Sequence, residues 1–200
     1  MTKIAIVYYS ATGANYQLAQ WAKAGAEEAG AEVRLVKVPE LAPQAAIDSN
    51  PAWKKNAEAT QDVPEVTNDD ILWADGIIFS APTRFGAVAS QMKQFIDTLG
   101  GLWANGDTVN KVVSAMSSAQ NDHGGQEATI LSLYTQMFHH GMIVAAPGYS
   151  NDVIYGAGGN PYGTSATVDN EGNIINAENV EAAAKYQATR TVDITKRVHG

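Results

Sequence analysis

Residues Lys3–Asn15 read KIAIVYYSATGAN. Ile4, Ala5, Ile6 and Val7 form a short apolar run rich in branched residues, extended by Tyr8 and Tyr9. A strand covered on both faces has this composition, because neither face meets water. The run stops at Ser10-Ala11-Thr12-Gly13-Ala14-Asn15, and beyond it the apolar spacing turns helical, with Tyr16, Ala19, Ala22 and Ala26 in phase and Leu18 beside them. A buried strand therefore passes through a small, hydroxyl-bearing loop into a helix. That arrangement gathers free backbone N–H groups and the positive end of a helix dipole at one point. It is a site for an anion, to which Ser10, Thr12 and Asn15 can add side-chain hydrogen bonds. The loop holds neither Lys nor Arg and matches neither G-x-x-x-x-G-K-[ST] nor G-x-G-x-x-G. Neutral donors alone suit a phosphate monoester better than a metal-bound triphosphate. Taken by itself, the stretch also reads as an ordinary strand-to-helix turn, with Gly13 at positive φ and Asn15 as N-cap.

Two hundred residues fit one domain with insertions, long enough to bury a sizeable core. At 45% hydrophobic and 17% charged, the composition is that of a globular chain. The absence of cysteine excludes disulfides, thiolate catalysis and Cys-ligated metals; it fits any compartment, with a cytosolic, cytoplasmic home the simplest. No run reaches the length of a membrane span, and the N-terminal apolar segment is too short for a secretory signal. The net charge of −8 and the lack of any basic cluster beyond Lys54-Lys55 and Lys196-Arg197 argue against a nucleic-acid partner. Nor does any set of residues have the spacing of a metal site; His123 has no evident partners.

Along the chain, strand and helix alternate. The first helix ends near Gly30, and Glu32–Val38 alternates as a second strand. Pro39–Val66 is Pro-rich and without a clean period, which predicts an irregular insertion at a sheet edge with a short helix near Pro51–Ala59. Asn68–Ala74 reads as a capped helical turn, Gly76–Ala81 as a third buried strand and Pro82-Thr83-Arg84-Phe85-Gly86 as its exit loop. A helix over Ser90–Leu99 ends at Gly100-Gly101, and Leu102-Trp103 lies in a turn. Lys111–Met116 is the fourth strand and Ser117–Gly125 a second polar loop. Gln126–His140 is a helix ended by Gly141, and Met142–Ala146 the fifth strand. Pro147–Asn176 is Gly-rich and aperiodic, and a last helix runs over Ala177–Val198, capped by Asn176. There are no repeats, so one domain over residues 1–200 is expected.

This alternation predicts an α/β three-layer sandwich, a five-stranded parallel sheet with helices on both faces. Its natural order is the flavodoxin-like 2-1-3-4-5. Ligands of such sheets sit at the carboxyl ends of the strands where the order reverses. The exits of strands one, three and four (Ser10–Asn15, Pro82–Gly86 and Ser117–Gly125) would then converge on one crevice. The first takes a phosphate; backbone groups of Thr83–Phe85 and Ser118–Asn121 can flank a flat ring and read its polar edge.

At these residues the chain resembles the WrbA family of flavodoxin-like NAD(P)H:quinone oxidoreductases. The resemblance is carried by YYSATGAN (Tyr8–Asn15), APTRFG (Ala81–Gly86), QMKQFID (Gln91–Asp97), GGLW (Gly100–Trp103), GGQE (Gly124–Glu127), HHGM (His139–Met142) and GGNPYG (Gly158–Gly163). It implies FMN as cofactor, NADH or NADPH as electron donor, and two-electron reduction of quinones by a ping-pong hydride relay. It also implies a homotetramer with flavin sites at subunit contacts. By position, Ser10, Ala11, Thr12, Gly13, Ala14 and Asn15 would hold the FMN phosphate. Pro82, Thr83, Arg84, Phe85 and Gly86 would line the isoalloxazine, and Ser117, Ser118, Ala119, Gln120 and Asn121, with Gly124, its pyrimidine side or ribityl chain. Trp103 would wall the substrate cavity together with Thr12 and Phe85, and His139 would reach the flavin site from a neighbouring subunit. Two features depart from the family pattern: Thr12 replaces an aromatic residue of many relatives, and Ala119-Gln120-Asn121-Asp122-His123 replaces a Thr/Gly-rich loop.

The resemblance assigns no catalytic acid or base, since the chemistry belongs to the cofactor and the protein supplies position and electrostatics. Two other readings remain at this level. One is a flavodoxin-type one-electron carrier, which the acidic charge suits. The other is a non-catalytic FMN-binding protein, which the two departures suit.

Overall fold

Strand β1 (Lys3–Tyr8) lies inside the sheet, one strand from its edge, in a computed structural model that describes residues 1–200. It pairs in parallel with β2 (Glu32–Lys37) on one side and with β3 (Gly76–Arg84) on the other, Ile6 facing Leu35 and Ile78. Alternate side chains leave a strand on opposite faces, and both faces here are covered. Ala5 and Val7 enter one core with Phe79, Met92, Leu133 and Met137; Ile4, Ile6 and Tyr8 enter the other with Leu18, Ala22, Ala184 and Val192. That double burial explains the unbroken apolar run in the sequence.

Helix α1 (Ala14–Glu28) returns from β1 across the second of these faces. The insertion after β2 folds into α2 (Gln44–Asp48) and α3 (Pro51–Ala59), the latter capped by Asn50, whose Oδ1 accepts from the N–H groups of Ala52 and Trp53. Helix α4 (Asn68–Trp73) follows, with Thr67 at its N-cap and the Asp70 carboxylate accepting from the Thr67 N–H. After β3, the two-residue strand β4 (Ala87–Val88) folds back antiparallel on Thr83 and Arg84. Helices α5 (Ser90–Asp97) and α6 (Gly100–Asn105) precede β5 (Val112–Ala119). Helix α7 (Gln126–His139), β6 (Ile143–Val144), α8 (Val153–Gly156), β7 (Ser165–Thr167) and α9 (Ala177–His199) complete the chain.

The central order is β2-β1-β3-β5-β6, which is the expected 2-1-3-4-5 arrangement. The sheet has seven strands rather than five. One addition is β4, joined to β3 by Phe85-Gly86; both turn residues have positive φ (54° and 80°), as a two-residue type I′ turn requires. The other is β7, which splits the outer edge in two: β6 pairs with Val112–Val113 and β7 with Ser117–Ala119. The stretch 147–164 loops out between them, so strand five is shorter than its apolar run.

Other boundaries also move. Gly100-Gly101 opens α6 instead of ending a helix, and Trp103 sits within it, its N–H bonded to the Leu99 carbonyl. Ser117, Ser118 and Ala119 belong to β5 and not to its exit loop; Pro82, Thr83 and Arg84 belong to β3. Asn176 precedes α9 in the left-handed region, and its side chain donates to the Gly156 carbonyl instead of capping the helix backbone.

Helices α1 and α9 cover one face of the sheet, while α5 and α7 with α4 cover the other. Helix α9 contributes buried polar groups as well. Gln187 donates to the Ala115 carbonyl at 2.9 Å and accepts from the Thr164 N–H and hydroxyl at 2.6 and 2.9 Å. Thr164 O in turn accepts from Ser117 N–H. The approach to β7 is thereby fixed against β5, directly beside the carboxyl end of the sheet.

Candidate cofactor site

The loop leaving β1 is held in a shape that exposes its amides. Ser10 Oγ accepts from the Gly13 N–H at 3.0 Å, closing a tight turn, and Gly13 takes φ 106° as the N-cap of α1. Asn56, on α3, donates through Nδ2 to the carbonyls of Ser10 (2.9 Å) and Ala11 (3.1 Å). With these carbonyls tied to α3, the N–H groups of Ala11 and Thr12 have no protein partner. The amides of Ala14 and Asn15 begin the helix, where no carbonyl four residues back is available. The result is a cradle of neutral donors at the positive end of the α1 dipole.

Asn15 is not the cap. Its side chain is 1% exposed; Nδ2 donates to Ser118 Oγ at 2.6 Å and Oδ1 accepts from Ser80 Oγ at 3.2 Å. One residue thus ties the start of α1 to the carboxyl ends of β3 and β5, beside the point between β1 and β3 where the strand order reverses.

Around this knot lies a cavity of about 520 Å³. Its wall takes Ser10, Ala11, Thr12, Ala14 and Asn15 from the first loop, Pro82, Thr83, Arg84 and Phe85 from the second, and Ser118, Ala119, Gln120, Asn121 and Gly124 from the third. The three exits meet where the strand order predicts. Thr83 Oγ1 accepts from the Gly86 N–H (3.2 Å) and from Thr129 Oγ1 (2.9 Å), which holds the β3–β4 turn against α7. Asn121 O accepts from Gly124 N–H and Gln126 Nε2, which folds the third loop back on itself. Arg84 is the only cation in the wall and makes no ion pair; its Nη1 donates to the Thr83 carbonyl. Phe85 is wholly exposed at the rim.

Gly13, Gly86 and Ser117 do not line the cavity. The two glycines shape its turns, and Ser117 is fully buried beneath it with an unpartnered hydroxyl. Trp103 and His139 lie elsewhere: Trp103 Nε1 donates to the His139 carbonyl at 2.9 Å, and both border a separate depression with Lys93 and Gln136. Burial, and then the neighbouring His139, push the adjacent His140 imidazole below its usual pKa.

Six wall residues were not foreseen from the sequence: Asn50 and Ala52 at the start of α3, and Val168, Asp169, Asn170 and Gly172 after β7. Asn50-Pro51 carries a helix-start signal, but nothing local says that this helix covers the loop leaving β1. Asp169 brings a carboxylate to the wall, yet its oxygens are turned onto its own loop. They accept from the N–H groups of Glu171 and Asn173 and from Asn173 Nδ2, which hold its pKa below the usual range.

A second network fixes the insertion to this end of the sheet. Glu40 accepts from Tyr9 Oη (2.9 Å), Trp53 Nε1 (3.2 Å), Gln91 Nε2 (2.7 Å) and the N–H groups of Leu41 and Ala42. Burial alone would raise the Glu40 carboxyl; these hydrogen bonds outweigh it and hold the group below its ordinary value.

Comparison with known proteins agrees with this geometry. Residues 2–153 match the family described as NADPH-dependent FMN reductase. The chain is 51% identical over 198 residues to a Deinococcus radiodurans protein named NAD(P)H dehydrogenase (quinone), covering 99% of this chain and 98% of that one. A Brucella abortus protein of the same name is 41% identical over 206 residues, with full coverage of both. Among solved structures, a WrbA-like flavodoxin from Agrobacterium tumefaciens superposes with a TM-score of 0.66 at 18% identity over 99% of each chain. The NAD(P)H:(acceptor) oxidoreductase FerB from Paracoccus denitrificans does so with 0.63 at 13% identity over 99% of each. Those two likenesses establish the flavodoxin-like fold. By sequence match, the chain belongs to the NADPH-dependent FMN reductase family, beside relatives named NAD(P)H dehydrogenase (quinone).

Proposed function

We propose that this protein is an FMN-dependent NAD(P)H dehydrogenase that reduces quinones. The observation that carries the proposal is the amide cradle at α1, built beside two strand ends that Asn15 holds at fixed spacing. The names of the full-length relatives support the same reading. The cavity fits FMN in its donor set. A phosphate monoester meets unpartnered N–H groups and Ser10 and Thr12 hydroxyls, and the polar rim of Thr83–Phe85 and Ser118–Asn121 suits the edge of a flat heterocycle.

FMN, when bound, supplies two-electron chemistry between the hydride donor and the quinone. The protein's part is to position and to polarise. Ala11–Asn15 bind the phosphate end; Pro82–Phe85 and Ser118–Asn121 orient the ring end. Arg84 places the wall's one cation, free of any ion pair, at the second loop. Phe85 offers a flat apolar face at the rim, suited to stacking. Donor and quinone alternate in the one cavity, which gives parallel lines in initial-rate plots.

We further propose that one domain carries this site in each subunit of a homotetramer, and that a neighbouring subunit brings Trp103 and His139 to it. Supporting this, Trp103 is 57% exposed, and Phe85, Leu131 and Phe138 present further apolar surface to solvent.

The test is NADH and NADPH oxidation by FMN-reconstituted protein, with and without a small benzoquinone. Rapid quinone-dependent oxidation by one or both nucleotides is expected, with no accumulation of one-electron-reduced flavin during reductive titration. Bound FMN with no oxidation of either nucleotide overturns the proposal in favour of a silent binder, and a stable one-electron state favours a carrier.

A further inference from the structure

The chain that leaves β7 folds straight back on itself in a tight turn, residues 169–173. Val168 bridges antiparallel to Ile174, and the Asp169 N–H donates to the Asn173 carbonyl at 3.0 Å. The Asp169 carboxylate shapes the tip. Its Oδ1 accepts from the N–H groups of Glu171 and Asn173, both at 2.9 Å, and its Oδ2 from Asn173 Nδ2 at 3.0 Å. The base is anchored to the sheet: Val168 N–H donates to the Ala119 carbonyl, and Thr167 Oγ1 donates to Asp122 Oδ1 at 2.8 Å.

The tip is seated on the loop leaving β1. A Cβ added to Gly172 would lie 3.1 Å from Thr12 O and 3.3 Å from Thr12 Cβ, so a residue without a side chain is what lets the two backbones approach this closely. No hydrogen bond joins residues 169–173 to residues 10–15. The other flank of the loop is held differently, since Asn56 on α3 donates to the carbonyls of both Ser10 and Ala11. One flank is therefore fastened by hydrogen bonds, and the other is covered by a pre-formed turn in van der Waals contact alone. The inner side of that turn, with Asp169, Asn170 and Gly172, forms part of the cavity wall.

We propose that residues 169–173 are a strap over the phosphate end of the cofactor, swinging about Val168 and Ile174 to admit and release it, with Asp169 as the residue that holds the strap in its closing shape. A segment that is rigid within itself and weakly attached to what it covers moves as one body. Drawing α3 away would break two hydrogen bonds to the loop; lifting the strap breaks none. Closures of this kind set the rate at which a ligand exchanges. The inference rests on the reading that the cradle takes the flavin phosphate.

The chain has no cysteine, so a disulfide can be introduced without competing thiols. Thr12→Cys with Gly172→Cys sets two Cβ atoms 3.3 Å apart, near the roughly 3.5–4.5 Å of a disulfide. FMN association and release are followed by flavin fluorescence in stopped flow, on the oxidised and the reduced form of this one protein, so that the effect of the substitutions themselves cancels. Oxidation is expected to slow both steps at least tenfold, and reduction to restore them. Among single variants, Asp169→Ala is expected to release FMN at least fivefold faster than wild type. Its apo unfolding midpoint is expected to stay unchanged, because the carboxylate serves only its own turn. Asp169→Asn keeps Oδ1 for the two N–H groups and is expected to restore slow release. Equal rates in the oxidised and reduced forms, or wild-type release from Asp169→Ala, overturn the strap and leave the flavin site standing. Failure of the two cysteines to pair under oxidant places the turn away from Thr12 and overturns it as well. Wild type that binds no FMN removes the flavin reading, and the strap's role with it.

Discussion

Asn15 joins the start of α1 to Ser118 on β5 and Ser80 on β3 from an almost solvent-free position. Replacing it with Ala leaves the buried Ser118 hydroxyl short of a partner, while Ser80 Oγ keeps only the residue-15 carbonyl. A buried group so deprived costs about 1–3 kcal/mol, and the three strand exits lose their common anchor. Asn15→Ala is therefore expected to lower the urea midpoint and to weaken FMN at least tenfold, read by unfolding curves and by flavin titration. Phe85 presents the opposite case. It is wholly exposed and sits at φ 54°, in the first central position of a type I′ turn that favours Asn-Gly. Left-handed backbone at a non-Gly residue costs about 1–3 kcal/mol, and no packing within the chain repays it. Phe85→Asn is expected to raise stability by about 0.5–1 kcal/mol while weakening flavin binding. A variant that loses stability would show that Phe85 packs within the fold after all.

At the scale of elements, the divided outer edge is the distinctive feature. The chain re-enters the sheet at Gly163, where an added Cβ would lie 2.0 Å from the Ala115 carbonyl oxygen. Overpacking of a fixed backbone typically costs about 1–3 kcal/mol. Gly163→Ala is expected to destabilise by at least that much, with the loss appearing first as faster amide exchange in β7 and α8. The insertion gives a pH-dependent prediction. Glu40 titrates below its ordinary value of 4.5 in the folded chain, so the unfolded chain takes up its proton first as the pH falls. The stabilisation from the Glu40 network is complete above pH 4.5 and disappears as the pH drops through the lower folded value. Glu40→Gln should flatten the acid limb of the stability profile, measured as Tm between pH 3 and 6 (on the order of the carboxylate range). An unchanged slope would remove Glu40 from the account.

For the whole molecule, the exposed side of α7 carries Leu131 and Phe138, seven residues apart and on one face. Together with Trp103 they form apolar surface that a monomer gains nothing by showing to water. The proposed tetramer covers it, and Phe138→Lys is expected to shift the mass measured by light scattering to a smaller species. If the wild type is monomeric at micromolar concentration, Trp103 and His139 have no route to the cavity.

How much of this was legible in the sequence follows from range. Residues 3–15 determined the buried first strand, the turn into α1 and the cluster of free amides there, because a run covered on both faces and a switch from continuous to helical spacing are local signals. The alternation of strand and helix determined the sheet order, and with it the meeting of three exits, since right-handed crossovers leave few arrangements. Only the tertiary structure decided that Asn15 braces the exits instead of capping a helix, because its partners lie 65 and 103 residues away. It alone split the last strand into β6 and β7, because pairing with β5 at Ser117–Ala119 depends on Gln187 fixing Thr164. And it alone set α3 beside the loop leaving β1, where Asn56 orients Ser10 and Ala11. Long-range hydrogen bonds and packing choose among conformations that a short stretch of chain finds nearly equal in energy, and so their outcome is not written in that stretch.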